Sequence, residues 1–197
     1  MILGSHNSLT YLPPKTKWMK FLTFFYKCQD KSLSEQIKSG VHVLDIKVRF
    51  RNNKVIVTNG QWEVKYEYEM EDFINIILDT ISIYRIDDDV IYINLSLDVD
   101  DVYIGQEFDF ISFVDIFKQK INQVDENIKL IGGYRTFDNE RVVITIPKLF
   151  IATITNKTDK RSWWFEKYFP KLFAKRMNEK NKILWENEDC LTLFDFV

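Results

Sequence analysis

The amino-acid sequence predicts an α/β fold, a distorted or incomplete TIM-type (β/α) barrel formed by a single domain over residues 1–197. Strand-like and helical segments alternate along the chain, which is typical of a parallel sheet covered by helices. The strand-like segments outnumber the helical ones, and 197 residues fall short of the roughly 250 of a full barrel. A lean barrel therefore fits the sequence better than a complete one.

The predicted strands are short β-rich or alternating segments, namely Met1–Gly4, Val41–Phe50, Lys54–Thr58, Val90–Leu97, Ile128–Ile131, Val142–Ile146, Phe150–Thr155 and Leu191–Val197. Asn52-Asn53 predicts a hairpin turn between the second and third of these strands. Gly132-Gly133 predicts the end of the fifth strand.

The predicted helices show apolar residues at helical spacing or helix-ending signals, and they are Ser34–Ser39, Met70–Tyr84, Phe108–Asn122 and Trp163–Glu179. Gly40 closes the first, since glycine favours the position after a helix. Pro170 lies inside the last and predicts a kink or a break there.

Composition excludes several function classes. The chain has 27 basic and 29 acidic side chains, for a net charge of -2, so it has no basic field to hold nucleic acid. Its two cysteines, Cys28 and Cys190, are too few for a disulfide scaffold, and we expect reduced thiols in a cytoplasmic compartment. We find neither a membrane span nor a signal peptide in the sequence.

Polar side chains interrupt the predicted buried strands with period two. Asp45, Lys47 and Arg49 alternate along one strand, Asn94, Ser96 and Asp98 along another, and Asp195 lies between two phenylalanines of the last. One interpretation is a solvated face of an antiparallel sheet. The other is a polar barrel interior that leads to an active site, where buried charges need partners.

The two histidines have different settings. His6 directly follows the first predicted strand, and a lone histidine in such a place is either structural or catalytic. His42 lies on the opposite face of its strand from Asp45 and Lys47, so we expect a packed or surface residue that does not reach His6.

Several motifs together resemble the phosphatidylinositol-specific phospholipases C of the X-domain type. Gly4–Tyr11, reading GSHNSLTY, is similar to the first motif of that family. The block Cys28–Lys47 and the segment Val55–Gly60 resemble its second and third motifs, and Leu193–Val197 looks like the last barrel strand of small bacterial and phage-borne members. The resemblance implies a phosphodiesterase barrel, and it extends the expected location to a phage or virus protein in the host cytoplasm.

The resemblance implies a base at the amino end of the chain. His6 holds the position of the histidine that takes the proton of the inositol 2-hydroxyl, which then attacks phosphorus and gives a cyclic phosphodiester. Asp45 fits an acidic position that orients its neighbours. Asp195 is expected beside His6 across the closing seam, where it would hold the imidazole tautomer.

Phosphate binding is implied for three further residues. Lys47 stands where metal-independent members carry an arginine, and a cation there argues against a bound calcium ion. Asn7 is placed to hydrogen-bond a phosphate oxygen, and Arg135 would add a second cation. The resemblance thus implies neither a metal nor a cofactor.

The sequence departs from the family at the proton donor. Asn59 replaces the histidine that protonates the leaving alcohol, and an asparagine cannot donate that proton. General acid catalysis is worth about 10²–10⁴-fold, so an impaired enzyme is expected. Asp98 is a candidate replacement that would need a raised pKa.

Two segments mix aromatic residues with lysine, Tyr11–Tyr26 and Trp163–Phe173. They suit either a core covered by lysine stems or contact with a lipid surface. Three hypotheses follow: a metal-independent phosphodiesterase acting on an inositol phospholipid or related diester, a non-catalytic relative that binds a phosphodiester headgroup or membrane surface, and a protein that keeps only the fold. A nuclease is disfavoured.

Overall fold

The structure is a computed structural model that describes residues 2–60, 62–86, 88–98, 104–135, 141–143 and 191–194. These residues form eight strands and four helices. In chain order the elements are β1 (Ile2–Ser5), α1 (Lys17–Tyr26), α2 (Leu33–Lys38), β2 (Val43–Arg51), β3 (Lys54–Asn59), β4 (Trp62–Glu69), α3 (Met70–Tyr84), β5 (Ile91–Leu97), α4 (Ile104–Val124), β6 (Ile128–Arg135), β7 (Arg141–Val143) and β8 (Leu191–Phe194).

The strands form one mixed sheet with β2 at its branch point. Strands β8, β1, β2, β5 and β6 are parallel neighbours in that order. The nine-residue β2 pairs along one edge first with β1 and then with the antiparallel β3, while β5 occupies its other edge. The α/β class is therefore confirmed. Among the described strands the sheet remains open, ending at β4, β7 and β8.

The apolar face of the sheet packs against helices α3 and α4. The five apolar residues that share the inner face of α3 are buried: Phe73, Ile74, Ile77, Leu78 and Ile81. Phe50, on the apolar face of β2, meets Phe110 and Phe113 of α4 at ring-centroid distances of 6.4 and 5.6 Å. Because side chains alternate along a strand, this packing leaves Asp45, Lys47 and Arg49 on the face turned away from α4.

Two of the predicted turns form as expected. The β2–β3 hairpin closes through Asn52 and Asn53 at φ 51° and 61°, the left-handed backbone that two-residue hairpin loops require. Gly40, at φ 85°, ends the short helix α2.

Other predictions need correction. Strand β6 does not stop at Gly132-Gly133 but continues through both glycines to Arg135. Helix α1 and strand β4 were not predicted, although the alternating Trp62–Glu69 suits a strand with one buried face. The predicted strand Phe150–Thr155 and helix Trp163–Glu179 lie outside the described residues.

Candidate active site

The turn that follows β1 carries His6 and Asn7. Asn7 has φ 46°, and its carbonyl oxygen accepts hydrogen bonds from the backbone N–H and the hydroxyl of Thr10, at 3.0 and 2.9 Å. The Ser8 N–H donates to the carbonyl of Asp45 at 2.7 Å. These bonds attach the turn to β2.

The carboxylate of Asp45 lies buried beneath this turn, with 3% of the residue exposed. Its Oδ2 accepts the Asn7 N–H at 3.0 Å, and its Oδ1 accepts the Nδ2 of Asn94 on β5 at 2.7 Å. His6 Nε2 lies 3.8 Å from the same Oδ2. A buried carboxylate is tolerated when donors surround it, so β1, β2 and β5 share one polar cluster, and Asp45 does not face bulk water.

His6 itself remains accessible. Its side chain is 35% exposed, and Nε2 is 3.1 Å from the Asn7 Nδ2. If the amide donates in that contact, Nε2 is unprotonated, as a general base requires. The Gln29 side chain donates to the His6 carbonyl at 3.0 Å and thereby joins the turn to the segment after α1.

Lys47 lies two residues beyond Asp45 on the same face of β2. It is half-buried, and it makes no ion pair or hydrogen bond with any residue in the described part of the chain. On β5 it is paired in register with Ser96, whose buried hydroxyl has no hydrogen-bond partner among the described residues. A cation and a hydroxyl that no described residue engages can both bind an anionic ligand.

Asn59 is the last residue of β3, and Asp98, directly after β5, contacts the residues beside it. The Asn59 Nδ2 donates to the Tyr26 carbonyl at 2.7 Å and lies 3.7 Å from the Cys28 sulfur. Asp98 Oδ2 accepts the Thr58 hydroxyl at 2.8 Å and the Gly60 N–H at 2.7 Å. Asp98 therefore holds both neighbours of Asn59, Thr58 through its side chain and Gly60 through its backbone.

Cys28 lies in the site although no pattern in the sequence indicates a functional role for it. Its sulfur lies 3.3 Å from the Asn7 Nδ2, and its N–H donates to the Thr10 hydroxyl at 3.0 Å. A lone cysteine in a loop gives no sequence signal of this kind, because only the fold brings residues 7, 28 and 59 together.

The remaining predicted residues fall in three places. Arg135 lies on β6, where its backbone pairs with Arg141. Asp195 lies outside the described residues, one position after β8, whose Phe194 pairs with Ser5 of β1. The expected adjacency of the first and last strands is thus confirmed. His42 is apart from the cluster, with its Nε2 3.1 Å from Asp89.

A second charged cluster holds the segment before α1 on the sheet. The buried Glu63 of β4 meets the Arg51 guanidinium at 2.8 Å and the Lys15 ammonium at 3.2 Å. Burial works against ionisation of this carboxyl, but the hydrogen bonds from Arg51 and Lys15 outweigh it and hold the pKa of Glu63 below its ordinary value.

Helix α1 presents an aromatic pair to solvent. Trp18 and Phe21 are 69% and 67% exposed, and their rings stack with centroids 5.8 Å apart. Lys17 and Lys20 are exposed on the same helix. Among the described helices, none is long and apolar enough to cross a bilayer.

The described residues contain no group of three or more histidine, cysteine, aspartate or glutamate side chains arranged to hold a metal ion. The acidic residues of the site are instead engaged with amide, hydroxyl and backbone donors, as at Asp45 and Asp98.

No protein-family model matches this sequence. No curated protein matches it either.

Solved structures do match the fold. The phosphatidylinositol-specific phospholipase C from Listeria monocytogenes is similar with a TM-score of 0.60 and 14% identity, over 99% of this chain and 87% of that one. A mutant of the corresponding Staphylococcus aureus enzyme gives a TM-score of 0.49 and 22% identity, over 68% and 47% of the two chains. This chain thus spans about half the length of the S. aureus protein. The similarity to a bacterial phosphatidylinositol-specific phospholipase C that the motifs predict is therefore confirmed for the fold, as a structural match to the L. monocytogenes enzyme at low sequence identity.

Proposed function

We propose that the cluster around His6 binds the phosphodiester headgroup of an inositol phospholipid, or a related diester, and cleaves it through a cyclic phosphate without a metal ion. One arrangement carries the proposal: His6 Nε2 lies 3.8 Å from the Asp45 carboxylate, and Lys47, for which no described residue supplies a counter-charge, follows Asp45 on the same face of β2. The proposal is supported by the fold that this chain shares with the L. monocytogenes enzyme, in a structural match that covers 99% of the chain. We accordingly treat residues 1–197 as one domain with an incomplete barrel.

In the proposed reaction His6 removes the proton from the substrate hydroxyl next to the phosphodiester. The oxygen attacks phosphorus, the bond to the leaving alcohol breaks, and a cyclic phosphodiester forms. Lys47 stabilises the charge on the phosphoryl oxygens, although as a point charge it lacks the bidentate geometry of arginine. Asp45 orients the His6 turn, and Asp195 is proposed to hydrogen-bond the imidazole.

Substrate contacts are also proposed for four further residues. Asn7 and Arg135 would contact the phosphate, whereas Asn59 and Asp98 would contact other parts of the substrate. Metal independence is supported by the chemistry of the donors, because an ammonium group at position 47 would repel a divalent cation. The free thiol of Cys28 suits a reducing compartment, so we also propose action in the cytoplasm.

Asn59 limits the proposed rate. Its carboxamide is hydrogen-bonded to the Tyr26 carbonyl and cannot release a proton to the leaving alcohol. Without any proton donor the reaction would be slower by about 10²–10⁴-fold, so turnover depends on a donor other than Asn59.

A second candidate function is binding without turnover. The exposed Trp18–Phe21 pair with its neighbouring lysines suits contact with an anionic lipid surface. Together with Asn59, this surface supports a headgroup-binding or membrane-surface protein that retains the fold.

The test is to incubate the protein with phosphatidylinositol micelles and follow cyclic inositol phosphate by phosphorus NMR. We expect slow product formation that His6→Ala abolishes and that the matched histidine variant His42→Ala leaves unchanged. Product formation that survives His6→Ala would refute the proposed base.

If no product forms, binding separates the alternatives. Retention of inositol 1-phosphate that is lost in Lys47→Ala would favour the non-catalytic binder. Absence of both turnover and binding would refute both functions.

A further inference from the structure

The thiol of Cys28 lies between two side-chain amides that belong to different motifs. The Asn7 Nδ2 is 3.3 Å from the sulfur, and the Asn59 Nδ2 is 3.7 Å from it. The backbone N–H of Cys28 is fixed on the Thr10 hydroxyl at 3.0 Å. The sulfur is therefore held beside Asn59, which occupies the place of the missing proton donor.

Asn7 connects this thiol to the base. Its Nδ2 is within 3.1 Å of His6 Nε2 and within 3.3 Å of the Cys28 sulfur. The residue is 2% exposed, and its buried Oδ1 has no hydrogen-bond donor among the described residues. A buried acceptor left in this way is unfavourable, and a ligand hydroxyl that hydrogen-bonds this amide would supply the missing donor.

We propose that Cys28 is the general acid of the reaction and delivers the proton that Asn59 cannot provide; this inference rests on the proposed function. As the bond from phosphorus to the leaving alcohol breaks, the alcohol oxygen takes the proton from the sulfur and a thiolate remains. The proton that His6 took from the attacking hydroxyl then returns to the thiolate through solvent. The protein finishes the cycle in its starting protonation state.

Cys28 suits this role better than Asp98 does. The Asp98 Oδ2 already accepts two hydrogen bonds that hold the end of β3. Cys28 is partly exposed, and its thiol donates only a long hydrogen bond, 3.7 Å to the Tyr26 carbonyl, within the described part of the chain. Its sulfur also shares a contact with the base, through one nitrogen of Asn7, whereas Asp98 contacts Thr58 and Gly60 instead.

The test compares two substrates that differ only in the leaving group, p-nitrophenyl inositol phosphate and hexyl inositol phosphate. An alkoxide needs a proton to leave, whereas p-nitrophenolate leaves without one. For Cys28→Ala and Cys28→Ser we expect about a 10²-fold loss of kcat on the hexyl ester and little change on the p-nitrophenyl ester. The chain's other thiol, removed in Cys190→Ala, provides the control and should affect neither substrate.

Three other results would overturn the inference, and they can be told apart. An equal loss on both substrates would mean that Cys28 only supports the structure, and no loss on the hexyl ester would mean that it carries no proton. Cys28→Ser keeps the shape of the side chain with a somewhat smaller and much less acidic group, and its melting temperature checks that the fold survives. If the unmodified protein cleaves neither ester, the proposed function itself fails and Cys28 has no reaction to serve.

Discussion

The carboxylate of Asp45 holds the backbone of Asn7, because its Oδ2 accepts the Asn7 N–H at 3.0 Å across 38 positions of sequence. Asn7 has a left-handed backbone at φ 46°, a conformation that costs a non-glycine residue free energy. The bond from Asp45 offsets that cost and thereby sets the direction in which His6 leaves β1.

Asp45→Asn should therefore destabilise the protein and disorder the His6 turn. An amide offers one acceptor oxygen, whereas the carboxylate now accepts from both Asn7 and Asn94. We expect a loss of about 1–3 kcal/mol in the free energy of unfolding, measured by urea denaturation. Asp89→Asn, at the half-exposed partner of His42, is the control; equal effects of the two changes would contradict the role of Asp45.

Asn59→His should restore a proton donor. In the Cys28→Ala background, where no thiol supplies the proton, we expect this change to raise cleavage of phosphatidylinositol by about 10²-fold or more, measured by release of cyclic inositol phosphate. Asn59→Gln keeps an amide and should give no gain. A histidine variant that folds but gains nothing would indicate that the leaving group does not lie near position 59.

The exposed aromatic pair of α1 should contribute to membrane contact. Burying one such side chain in lipid is worth about 1.5–3 kcal/mol, so Trp18→Ser with Phe21→Ser should weaken binding to anionic vesicles by at least about tenfold. Vesicle sedimentation measures this effect. Ile83→Ser removes an equally exposed apolar side chain, 69% exposed, from α3 and should leave binding unchanged; a matching loss would contradict a specific α1 surface.

The pKa of Glu63 predicts how stability depends on acid. Burial opposes ionisation of this carboxyl, but Arg51 and Lys15 hold its folded-state pKa below the ordinary value. The ionised Glu63 therefore contributes its full stabilisation above about pH 4.3, the ordinary pKa of a glutamate. That stabilisation is lost as the pH falls through the depressed pKa. Thermal melts of the unmodified protein and Glu63→Gln should therefore differ at pH 7 and converge as the pH falls through the depressed pKa of Glu63. A difference that persists unchanged in acid would contradict this.

Local sequence patterns predict those helices and turns that are determined by the residues within the element itself. The helix Met70–Tyr84 matches its predicted bounds because its apolar spacing closes one complete face. The Asn52-Asn53 turn likewise carries its own backbone preference. Strand β4 is less evident, since its second half is largely exposed and pairs only with β3.

The contacts within the site are only partly predictable from local patterns. The motifs indicate His6, Asn7 and Asp45 as site residues, and the structure places Asn7 in contact with the other two. The pairing of Cys28 with Asn7 and Asn59 depends on how α1 returns to the sheet, which no local pattern contains. Asn94 as a donor to Asp45 similarly requires the register between β2 and β5.

The most direct test of a phosphodiester site at His6 uses the fact that the chain has only two histidines. A histidine side-chain NMR spectrum therefore contains two imidazoles, assigned with His6→Gln and His42→Gln. On addition of inositol 1,2-cyclic phosphate, we predict a saturable shift of the His6 signals, abolished by Lys47→Ala, while the His42 signals beside Asp89 stay in place. Unchanged His6 signals at saturating ligand, or a shift confined to His42, would contradict the proposed site.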